Sequence, residues 1–227
     1  MSLDAPDWER VVTTVAATGD VPDAPDWERI VVGSGGTPIG GPTAGVNAWT
    51  PYAAAGFAGV TLDPTVINDS ASHATGVMAL VMFTALLTTT VNNVTILVQT
   101  GATCTANQNF VVIYDTGQTT AGTATKLAQS AAGACDIPFR TSGISKVPLS
   151  TGASLTLGQN YFLGFVNNGG TPSFYDTNVA NASILNPVGT TYPIRCFGAG
   201  PFTSPPSTLA FSSLTITTHT WLFFIGP

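Results

Sequence analysis

Charge is scarce in this chain, and basic charge is scarcer still. Of its 227 residues only 8% are charged, with six Lys and Arg against 12 Asp and Glu and a formal net charge of -6. Nucleic acid needs a basic protein face for its phosphates, so this composition excludes that class of partner. Histidine is limited to His73 and His219, and neither has a cysteine, a serine motif or an acid at an informative spacing. The GxSxG, HExxH and P-loop patterns are absent. Asp63 and Asp69 imitate a carboxylate pair but lie in turn-like sequence, so no catalytic residue, metal ligand or cofactor site is assigned, and the chain is expected not to be an enzyme. Three cysteines, Cys104, Cys135 and Cys196, are an odd number at no zinc-like spacing. They are expected as buried thiols, with a Cys104–Cys135 pair left open because both flank one strand-loop unit. The longest apolar run, 77–87, is about half of the roughly 20 residues that cross a bilayer as a helix, so membrane insertion is not expected. The opening residues lack the basic and apolar regions of a secretory signal, which leaves a surface-like composition without a visible route of export. A protein that leaves the cell as part of a particle resolves that conflict.

What is present divides the chain in two. The heptapeptide DAPDWER occurs at residues 4–10 and again at 23–29, each copy running into β-branched residues, Val11-Val12 and Ile30-Val31-Val32. Pro6 and Pro25 disfavour helix in both copies, and a 19-residue repeat present only twice reads as an extended arm rather than a solenoid. Seven acids lie in the first 28 positions (Asp4, Asp7, Glu9, Asp20, Asp23, Asp26, Glu28) against one base, Arg10. The first 28 positions therefore carry a charge equal to the whole net charge, and the five acids and five bases that follow cancel. Two identical segments suggest two equivalent binding sites, with Asp7, Trp8, Glu9, Arg10 and Asp26, Trp27, Glu28, Arg29 as docking residues. The run GSGGTPIGGP at 33–42 is a natural linker. The expected domains are an arm over 1–42 and a body over 43–227.

The body reads as all-β. Apolar or β-branched runs at 76–87, 91–99, 109–115, 144–149, 154–157, 160–167 and 220–225 are separated by turn sequences. Continuous apolar runs of this length predict strands buried on both faces, as in a sandwich or a subunit interface. A hydrophobic content of 44% with so little charge further predicts a symmetric trimer that buries apolar faces between copies. The segment 171–178 is expected as a loop. There Phe174, Tyr175, Asp176 and Asn178 offer aromatic, carboxylate and amide groups suited to stacking on and hydrogen bonding to a sugar; the alternative expectation is that Phe174 and Tyr175 cap the sandwich core.

The order TTTVNNVTILVQTGATCTANQNFVVIYDTGQT, then FRTSGISKVPLSTGASLTLGQNYFLGFVNNGGTPSF, then PPSTLAFSSLTITTHTWLFFIGP resembles the C-terminal domain of minor tail proteins from tailed phages of actinobacteria. The matching stretches are 103–115, 157–169 and 205–224, with Leu62-Asp63-Pro64 near the start of the domain. Cys104 and Cys135 depart from that pattern, and 174–193 looks individual to this chain. The resemblance implies a jelly-roll-like antiparallel β-sandwich preceded by an extended arm, on the outer surface of a virion, more at the tail than the head. It implies other virion proteins as partners and a host cell-envelope glycan as the target of the body. The competing expectation is a purely architectural head fibre or capsid decoration protein without receptor binding.

Overall fold

The computed structural model describes residues 50–62, 64, 67, 69–116, 122–178, 195–198, 200–216 and 219–226. The repeated arm and its docking residues lie outside them. The described chain forms α1 (Thr50–Ala54), β1 (Gly59–Val60), β2 (Asp69–Ser72), β3 (Met78–Thr84), β4 (Thr89–Thr100), β5 (Phe110–Asp115), β6 (Thr123–Gln129) and α2 (Asp136–Arg140). It continues through β7 (Gly143–Leu155), β8 (Asn160–Val166), β9 (Ser173–Asn178), β10 (Arg195–Gly198), β11 (Thr208–Ala210), β12 (Leu214–Ile216), β13 (His219–Trp221) and β14 (Phe223–Gly226).

These strands make two seven-stranded sheets in which every pair named below is antiparallel. The first runs β1-β14-β4-β9-β13, with β2 added on β9 and β7 on β4. The second runs β11-β6-β5-β8-β3-β10-β12. From β2 through β5 the chain changes sheet at every strand, and it does so again from β6 to β10, giving a jelly-roll-like sandwich.

Side-chain alternation explains the core. Val94, Ile96 and Val98 of β4 face Val81 and Phe83 of β3, Val111 and Ile113 of β5, and Leu163 and Phe165 of β8 in one buried cluster. Phe165 is its hub, with ring centroids 4.7 Å from Phe174, 5.2 Å from Trp221 and 5.2 Å from Phe223. The opposite side chains of the same strands, Met78, Leu80, Val112, Tyr114, Phe162 and Val166, are buried as well. Phe202, Leu209 and Leu214 pack over them, and the Tyr114 hydroxyl donates to the Pro206 carbonyl at 2.8 Å. The second sheet is thus covered on both faces, which is why β3, β5 and β8 read as unbroken apolar runs.

Two strand boundaries differ from expectation. The runs 144–149 and 154–157 belong to one strand, β7, whose residues 149–152 bulge opposite Asn92 where the register against β4 shifts. The run 220–225 is instead two strands, because its first part pairs with β9, a register the Leu222 N–H continues by donating to the Tyr175 carbonyl at 2.9 Å, whereas Phe223–Gly226 pair with β4.

Candidate functional site

The segment expected as a sugar-binding loop is mostly strand, β9, and the correction has a simple cause. Its residues pair with β2 on one side and with β4 and β13 on the other, so alternate side chains must enter the core. Phe174 is fully buried, with its ring 5.3 Å from Phe139 and 6.1 Å from Phe223. Asp176 is fully buried too. Tyr175 alone points outward, with 36% of its surface exposed. Asn178 ends the strand and pairs in register with His219. Phe174 and Asp176 therefore cannot form a ligand platform, whereas Tyr175 presents its side chain to the surface.

Two histidines that sequence spacing leaves without partners acquire them through the fold. His219 on β13 donates from Nδ1 to Asp176 Oδ2 at 2.5 Å across the β9–β13 pair. A carboxylate sealed from water needs such a donor, and the imidazole, 30% exposed at its side chain, connects Asp176 to the rim. His73 is buried against Phe165 and Trp221, with ring centroids at 4.5 and 5.7 Å. Its Nδ1 donates to Asn167 Oδ1 at 2.6 Å, and Asn167 Nδ2 donates to the Gly170 carbonyl at 2.7 Å. Burial lowers its pKa to about 4, so the ring is neutral near pH 7.

A polar clamp ties the loops at one end of the sandwich. Asn109 Nδ2 donates to the Thr105 carbonyl and to Asp136 Oδ1, each at 2.7 Å, while its Oδ1 accepts the Asn168 N–H at 2.8 Å. Asn168 Nδ2 reaches the carbonyls of Gln108 and Phe202 at 2.7 and 3.0 Å. The Asn107 N–H closes the set on Asp136 Oδ2 at 2.9 Å. Gly169 follows at φ +108, and a Cβ there would lie 2.7 Å from the Thr105 nitrogen. Cys135 and Cys104 flank this clamp as free thiols. Cys135 lies 3.5 Å from Ser130 Oγ, and burial pushes its pKa to about 12, so it is an inert core residue. Cys104 is raised by burial as well.

The other surface feature is an edge. Strand β7 pairs with β4 along its length, and beyond it only Leu149 bridges to Ser130. Among the described residues, 143–147 thus keep one side without a ladder partner. Ile144, 74% exposed, sits there between exposed Arg140 and Lys146. Arg140 also walls a shallow groove with Gly101, Ala102, Thr103 and Cys104, its Nη2 donating to the Cys104 carbonyl at 2.9 Å. Among the described residues no three His, Cys, Asp or Glu side chains are placed to hold a metal ion, and no helix is long and apolar enough to cross a membrane.

No protein-family model matches the chain, and no curated protein matches it.

Proposed function

We propose that this chain is a virion structural protein of a tailed actinobacterial phage, a minor tail protein that docks by its acidic arm and displays the β-sandwich outward toward the host surface. The observation that carries this reading is the placement of the residues behind the resemblance. Asn109, in the 103–115 stretch, and Asn168 and Gly169, at the end of the 157–169 stretch, build the clamp that joins the loops of the sandwich. Residues about 60 positions apart that meet at one structural point support reading the resemblance as more than ordinary turn chemistry. The acidic, Trp-bearing repeat supports docking, since two tethered contacts raise effective affinity by about 100-fold over one.

The burial of Phe174 and Asp176 favours a second reading, in which the body is architectural and binds no receptor. The experiment labels the chain with an antibody on purified particles and measures binding of the purified chain to actinobacterial cell walls. Label at the tail with wall binding is the expected result. Label without wall binding selects the architectural reading, and particles lacking the chain overturn both.

A further inference from the structure

The open edge of β7 calls for a partner of a particular kind. Unpaired strand edges template further strands, and proteins commonly guard them with lysine and proline. Lys146 and Pro148 stand on this one, yet Ile144 between Arg140 and Lys146 is 74% exposed. Two identical β7 edges pair poorly: residues 140–148, RTSGISKVP, contain two cations and no acid to oppose them. An acidic, β-branched strand has the complementary chemistry.

This chain supplies one. Residues 23–32, DAPDWERIVV, carry three acids and one base and end in three β-branched residues. The 17 residues from 33 to 49 span at most about 56 Å when extended, enough to reach a neighbouring body.

We propose that residues 23–32 of a second copy add as an antiparallel strand to the 143–147 edge, with Glu28 opposite Lys146, Asp26 beside it and Ile30 opposite Ile144. The contact is head-to-tail, so it builds a closed ring or an open chain of copies, and it leaves the first DAPDWER copy free. It does not depend on the phage reading.

The test uses the full chain and a synthetic peptide of residues 20–33. Sedimentation should show self-association that excess peptide dissolves, and hydrogen exchange should show protection of amides within 143–147 in the associated form. Lys146→Glu should weaken association about tenfold, losing one attraction and adding a repulsion, while Asp26→Lys with Glu28→Lys in the same chain should restore it. An unchanged melting temperature verifies folding, since the Lys146 side chain is exposed. The proposal is overturned by a monomeric full chain, by association with unprotected 143–147 amides, or by Lys146→Glu associating like the parent. A monomer whose 143–147 amides are protected likewise rejects a second copy as the donor.

Discussion

At the scale of single residues, the buried polar groups set the pH and mutational behaviour. His73 has a pKa of about 4 in the fold and about 6.5 when unfolded. The folded value lies below the unfolded one, so its contribution is complete above pH 6.5 and is lost as pH falls toward 4. Linkage gives a loss of about 2 kcal/mol by pH 5. Thermal melts between pH 7.5 and 5 should show this slope, and His73→Gln should flatten it; equal slopes in both proteins would assign it to other groups. Asp176 makes the second case. His219→Ala removes a donor from the fully buried Asp176, and breaking a buried pair by removing one partner costs about 3–5 kcal/mol. Asp176→Asn in the same background should recover part of that loss in urea denaturation, because the amide carries no charge to strand. Neither partnership is legible in sequence: 43 positions separate Asp176 from His219 and 94 separate His73 from Asn167, and only strand pairing brings them together.

At the scale of elements, legibility follows burial. Strands β3, β5 and β8 are apolar on both sides because both sides are covered, so composition alone marks them. Strand β9 reads Ser-Phe-Tyr-Asp-Thr-Asn, and its buried Asp176 and Thr177 disguise a central strand as a polar loop. The alternation of Phe174 and Tyr175 was the available signal, and two aromatics in sequence look like a platform unless their sides are known. The difference has a measurable form. Phe174→Ala should cost about 3–5 kcal/mol by emptying space beside Phe165, whereas Tyr175→Ala should change stability by less than about 1 kcal/mol. If Tyr175→Ala destabilises as much as Phe174→Ala, the outward placement of Tyr175 is wrong. Adsorption measured with the stable Tyr175→Ala protein then tests Tyr175 as a glycan contact.

At the scale of the whole molecule, the two-sided cover of the second sheet changes the argument for a trimer. Much of the 44% hydrophobic content is spent within one copy, and the exposed large apolar side chains among the described residues are Ile137, Ile144, Leu157 and Tyr175. Composition therefore no longer requires a subunit interface. For the arm, Trp8→Ala and Trp27→Ala should each reduce incorporation into particles, and the double substitution should abolish it, as quantified by mass spectrometry of purified virions. Normal incorporation of the double variant would reject the repeats as docking elements. Unequal single effects would assign docking to one copy and leave the other to a different contact, such as the β7 edge.

The position of β14 carries a consequence for the order of events in the cell. Phe223 and Ile225 are buried in the core, and their strand sits between β1 and β4, with Thr61 Oγ1 accepting the Phe223 N–H at 2.8 Å. That contact joins residues 162 positions apart. While the ribosome is still translating the late strands, β1 and the middle of β4 have no neighbour along those edges, and the nascent sandwich waits open. Closure of the first sheet therefore waits for β14 and is an event of high contact order, slow by comparison with local folding. During that interval the unpaired edges of the half-built sheet are the kind of surface through which folding intermediates aggregate.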